Sequence, residues 1–169
     1  NMVPLERQLE VFKWQVAVAV ELNLPIIIHC REGIKSDPDD LILDALIQYP
    51  NHPVQNHCYT RDAQNARKWM NSLHNVTFGL TPSVCNRNWA STNAIETIPL
   101  EMIHLETDSH FFKPTCLREV HSNFQDYNIA AVAVAARIAE VKKETIDNVI
   151  RSSAMCTRRI SDYPSNKSS

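Results

Sequence analysis

The chain has 169 residues, of which 44% are hydrophobic and 21% charged, and a formal net charge of -2. These values describe one globular domain and exclude an intrinsically disordered chain. The charge also excludes gripping nucleic acid by bulk positive charge, while leaving room for a local basic site or a bound cation.

Leu5, Leu9, Phe12, Val16 and Val20 step by three or four residues, which predicts a helix of about five turns with that stripe in the core. Pro25 ends it, because its ring forbids the helical hydrogen bond. Ile26-Ile27-Ile28 follows without a polar break and reads as a strand over 26–29, buried on both faces and stopping at His29. Asp37-Pro38-Asp39-Asp40 reads as a helix start, with Ile42, Ala45, Leu46 and Tyr49 inward. After the turn Pro50-Asn51-His52-Pro53 comes a strand over 54–58 carrying His57. Thr60 or Asp62 caps a third helix, with Ala66, Met70 and Leu73 inward. Val76-Thr77-Phe78-Gly79-Leu80 is the next strand. A weaker helix runs from Trp89 to Thr97, and a strand over 103–107 leads into Asp108. The stretch from Ser109 to Asp126 reads as an irregular loop. Two helices, 127–143 and 145–160, end the fold, the second capped by Thr145. Residues 1–163 form one domain and 164–169 a frayed tail.

Strands and helices alternate, so the fold class is α/β, with about four parallel strands flanked by helices. Five cysteines without a CxxC pair read as free thiols, hence an intracellular protein, cytoplasmic or nuclear. Cys30 and Cys58 follow His29 and His57 directly, and strand alternation turns them to the opposite face. Val16 to Leu24 is the longest weakly polar stretch, too short and too broken to span a membrane. Two glycines are few, against a usual share of about 7%.

Parallel strands deliver their C-terminal ends to one edge of the sheet, where open α/β sheets and α/β barrels place their chemistry. His29, His57 and Asp108 therefore converge. Two imidazoles and a carboxylate suit a divalent metal that keeps a position open for water. Asp108 could also take a proton from that water. Arg31, Lys35, Arg61, Arg87, Lys113 and Arg118 follow strands and border the same edge, as a phosphate site would want. Loops are polar and surface lysines and arginines are common, so on this feature alone solvated surface is the favoured reading of these residues. His104 lies mid-strand and reads as a hydrogen-bonded core residue, while His110 and His121 fall in the loop after Asp108. Trp14, Trp69 and Trp89 read as packing residues.

Taken in order, Gln8-x3-Phe12-x2-Gln15, Leu24-Pro25-Ile26-Ile27-Ile28-His29-Cys30-Arg31, His57-Cys58-Tyr59-Thr60, Ile98-Pro99-Leu100 and Leu105-Glu106-Thr107-Asp108 make a specific set. The chain resembles the TatD-type metal-dependent deoxyribonucleases from about residue 5 to residue 160. The resemblance implies a partial (β/α) TIM-type barrel that hydrolyses phosphodiester bonds in DNA with a divalent cation, Mg, Mn or Zn. It implies His29, His57 and Asp108 as metal ligands, Asp108 as the catalytic residue acting on the attacking water, and Arg31 as a phosphate contact in substrate binding. The family's opening strand with two histidines one residue apart, and its bridging glutamate, have no counterpart here. Arg61 stands where glycine is usual, and Ser109-His110-Phe111-Phe112 replaces the usual Ala-Pro-Tyr-Leu. A two-cation site then lacks its charge compensation, so one cation and little activity in this chain alone are expected. The alternative is a non-catalytic relative serving in binding or assembly. Oligomeric state is open.

Overall fold

The computed structural model describes residues 3–30, 38–86, 92–108 and 127–162. Their elements are α1 (Leu5–Glu21), β1 (Ile26–His29), α2 (Pro38–Leu46), β2 (Val54–His57), α3 (Ala63–Ser72), β3 (Val76–Leu80), α4 (Thr92–Thr97), β4 (Ile103–Leu105), α5 (Tyr127–Lys142) and α6 (Ile146–Ser161). Two 3-10 turns, Pro82–Cys85 and Leu100–Met102, were not foreseen. The proposed cap at Asp37, the start of the helix at Trp89, the loop 109–126 and the tail lie outside the described residues.

The four strands form one parallel sheet in the order β1-β2-β3-β4. His29 stands beside His57 in register, and Gly79 beside His104. Each connection carries the chain back over the sheet, so every strand points its C-terminal end the same way. The core lies under β2 and β3. Val54, Val76, Phe78, Leu80 and Ile103 are fully buried with Trp69, Ile138 and Val149. Burying one such side chain contributes about 1.5–3 kcal/mol. Asp62 caps α3 by accepting from the Asn65 N–H at 2.9 Å, and Thr145 caps α6 by accepting from that of Asn148 at 3.2 Å.

Three expectations need correction. The isoleucine run is not buried on both faces: Ile26 and Ile28 are buried, but Ile27 is 62% exposed. β1 is an edge strand of this sheet, and among the described residues nothing covers the face that Ile27 and His29 share. The stripe on α1 is likewise only part-covered, with Val16 buried and Leu5 half-exposed. A groove of about 660 Å³ runs between α1, β1 and α2, lined by Leu9, Phe12, Ile27 and His29 among others. Strands β2 and β4 also stop short of the expected ends at 58 and 107, at His57 and Leu105.

The shortage of glycine has a structural counterpart. Asn23, Cys58, Asp108 and Lys143 all take positive φ, between 39° and 58°, where glycine is the usual choice. Asn23 follows the end of α1 and Lys143 the end of α5. There the amides of Leu24 and Glu144 close back onto the carbonyls of Ala19 and Ala139.

Candidate metal centre

The ends of β1, β2 and β4 bring His29, His57 and Asp108 into contact, with the His57 ring in the middle. His29 Nδ1 lies 3.0 Å from His57 Nδ1. The other nitrogen of the same ring, Nε2, lies 3.1 Å from Asp108 Oδ1 and 3.7 Å from Glu106 Oε2. With Nε2–H donating to Asp108, the neutral ring has a bare Nδ1, which accepts from His29. His29 and Asp108 therefore stand on opposite sides of the His57 imidazole. The donor atoms that gather around one point belong to His57, Glu106 and Asp108, all within 4.8 Å of one another.

Glu106 is the residue that the sequence reading passed over. It sits two positions before Asp108, and a second carboxylate so close to the strand end was the available signal. Its carboxylate accepts from Gln55 Nε2 at 2.6 Å and from the Cys58 N–H at 2.8 Å. Burial pushes its pKa above the ordinary carboxylate range, against the lowering pull of the Cys58 N–H, His57 and Gln55.

The backbone turns sharply where these side chains meet. Cys58, at φ 51°, and Asp108, at φ 39°, both leave their strands in left-handed conformation. This undoes the alternation argument for Cys58, since the strand has already ended. Its thiol lies 3.9 Å from Thr81 Oγ1 and is hydrogen-bonded to Asp108. Burial, then that bond, pushes the thiol up to about 11, so it stays protonated. Strained backbone of this kind collects at functional sites, where the surrounding structure holds it in place.

The basic residues fare differently. Arg61 does not present its guanidinium to the edge: Nε and Nη2 both reach Asp39 Oδ2, at 3.0 and 2.8 Å. Asp39 is buried and also accepts from Trp69 Nε1 at 2.8 Å. The partner for Arg61 came from α2, a long-range pairing that local sequence does not display. Arg31, Lys35, Arg87, Lys113 and Arg118 lie outside the described residues, as do His110, His121 and Trp89. His104 is the core residue expected, bonded to Thr77 and Thr157 at 2.8 and 3.1 Å. Trp14 is mostly exposed and Trp69 fully buried.

The family model for TatD related DNase matches residues 2–161. The chain belongs to that family. Among TatD relatives, it is 29% identical over 148 residues to the human 3'-5' RNA nuclease TATDN2, covering 85% of this chain and 18% of that protein. It is 30% identical over 150 residues to the uncharacterized metal-dependent hydrolase YabD of Bacillus subtilis, covering 86% and 54%. It is 32% identical over 116 residues to the 3'-5' ssDNA/RNA exonuclease TatD of a Rahnella strain, covering 68% and 42%. The chain thus spans little more than half of these relatives at most. An amidohydrolase structure from Saccharomyces cerevisiae superposes with a TM-score of 0.74 at 16% identity, over 92% of this chain and 60% of that one. A TatD family hydrolase from Entamoeba histolytica gives 0.71 at 16%, over 95% and 58%. The TatD fold, a four-strand portion of a (β/α) barrel here, is the shared architecture.

Proposed function

We propose that this TatD-family chain carries the metal-binding edge of a phosphodiesterase acting on single-stranded DNA or RNA. The observation behind this is the convergence of His57 Nε2, at the end of β2, with Glu106 and Asp108, past the end of β4. One imidazole and two carboxylates are a donor set suited to a divalent cation of the Mg, Mn or Zn type. A cation bound there would supply Lewis acidity and lower the pKa of a bound water. The chain's own groups do the rest. His57 would hold the cation through Nε2 with the ring's proton on Nδ1, donating to His29, whose own proton would then sit on Nε2. His29 would so hold the ring in place, the usual task of a residue behind a ligating histidine. The resemblance implies His29 as a ligand in its own right; in the reading proposed here it stands behind His57 instead. Asp108 holds the attacking water by hydrogen bond and accepts its proton.

Arg31, two residues past His29, serves as the phosphate contact in this reading. The relatives' names supply the substrate class. None of the four described cysteines is in a disulfide, in keeping with a reducing compartment inside the cell. Among the described residues, no helix is long and apolar enough to cross a membrane.

Calorimetric titration with Mn²⁺ tests the site. His57→Ala and Asp108→Ala should abolish the heat, and His29→Ala should weaken binding by roughly tenfold. Equal heats from the unmodified chain and His57→Ala would remove the site. End-labelled single-stranded DNA and RNA, with and without chelator, then test cleavage, which should be slow in this chain and lost in Asp108→Ala. Binding of metal without any cleavage would favour the non-catalytic reading.

A further inference from the structure

Glu106 belongs to the β4 end of the sheet, yet both of its hydrogen-bond donors belong to the β2 end. Gln55 lies in β2, and the Cys58 N–H directly follows it. Between them runs β3. The carboxylate reaches across β3 at Gly79, where a Cβ would collide with the carboxylate oxygens. Gly79 does not have positive φ. Backbone freedom therefore does not explain glycine at this position, whereas space does.

We propose that Gln55, Gly79 and Glu106 form a strap across the sheet that positions the metal-binding groups. This rests on the metal-site reading above and deepens it. Gly79 opens the path, Gln55 and the Cys58 amide take one carboxylate oxygen each, and the Glu106 carboxylate is held toward His57 Nε2. The strap couples the strand end that carries His57 to the one that carries Asp108, so the distance between those two side chains does not depend on β3 packing alone. Each Glu106 oxygen keeps a second lone pair for a cation. Gln55 and Gly79 are thus positioning residues.

A double-mutant cycle in metal-free protein reads the strap directly. Gly79→Ala should lower the melting temperature by about 5 °C in the unmodified chain. In a Glu106→Ala background the same change should shift it by less than about 1 °C, because the collision has gone. Equal shifts in the two backgrounds would overturn the proposal. If Gly79→Ala alone fails to fold, recovery of folding in the double variant supports the strap, and failure of both overturns it. In Glu106→Ala the Cys58 amide should also exchange with solvent at least about tenfold faster, having lost its acceptor; unchanged protection would count against the strap.

The positioning role is read by Mn²⁺ calorimetry of Gln55→Met, which keeps volume and removes the donor. Its affinity should fall by roughly tenfold or more, while the chain stays folded with a melting temperature only a few degrees lower. Full affinity in Gln55→Met, alongside a loss in His57→Ala, would overturn that role. An unmodified chain that takes up no Mn²⁺ would sink the metal site itself, and the metal-free cycle would still decide the strap.

Discussion

At the scale of single residues, polar groups in this protein are held by partners that are distant in sequence. Asp39 shows this best. It is buried at 1% exposure, yet it meets both the Arg61 guanidinium and the Trp69 indole. Removing one partner of a buried pair leaves an uncompensated charge, which costs more than the pair contributes. Asp39→Ala should therefore destabilise the protein by about 3 kcal/mol, measured by urea unfolding. Asp39→Asn should cost less, since its amide oxygen still accepts from Trp69. The pair also bears on function. Arg61 follows a strand end, where either solvent or a phosphate would meet it, but it ties the segment after β2 down to α2. The exposed ion pair between Arg7 and Glu10 contributes little by comparison.

At the scale of elements, the helices end without glycine. Lys143, at φ 58°, closes α5 in a left-handed turn. A side chain there costs roughly 1–2 kcal/mol in local sterics, partly offset by the entropy glycine would lose on folding. Lys143→Gly should thus stabilise the protein by about 0.5–1 kcal/mol, seen as a rise in melting temperature. The same substitution at Cys58 or Asp108 would act on the edge where His57, Glu106 and Asp108 meet. Strand ends behave differently from helix ends in this respect. At Cys58 the turn releases an amide for Glu106 to accept, so the strain there serves the site, whereas at Lys143 it serves only a connection.

For the molecule as a whole, α6 is joined to the sheet through a buried, uncharged cluster. His104 Nε2 lies 3.5 Å from Cys156 Sγ, and its Nδ1 faces Thr157. Burial, then the nearby Arg159, lowers the His104 pKa to about 4 from 6.5, and burial raises Cys156 to about 11 from 9.0. The signs follow from which state binds more protons. Between pH 6.5 and 4 the unfolded chain takes up the His104 proton and the folded chain does not, so stability falls as pH falls. Between pH 9 and 11 the unfolded chain releases the Cys156 proton and the folded chain keeps it, so stability falls as pH rises. Each limb amounts to a few kcal/mol, of order 1.4 kcal/mol per pH unit. Urea unfolding across pH 4 to 11 should show a plateau between the limbs. Cys156→Ala should remove only part of the alkaline limb, because the buried Cys58 thiol, also raised to about 11, contributes to the same window.

Local pattern was enough to locate the four strands, the helices between them, the cap at Thr145, and the residues His29, His57 and Asp108 at the strand ends, while the structure chose Asp62 over Thr60 as the cap of α3. Periodicity and capping are properties of a few neighbouring residues, and parallel order then sends all the strand ends to one edge. Only the tertiary structure decided which side of the His57 ring each partner takes, that Glu106 joins the cluster across Gly79, and that Arg61 is held by Asp39. It also decided that Ile27 lies open on an edge strand. These depend on contacts between residues tens of positions apart and on ring and backbone rotations at strand ends, where the alternation that makes a strand readable has already stopped.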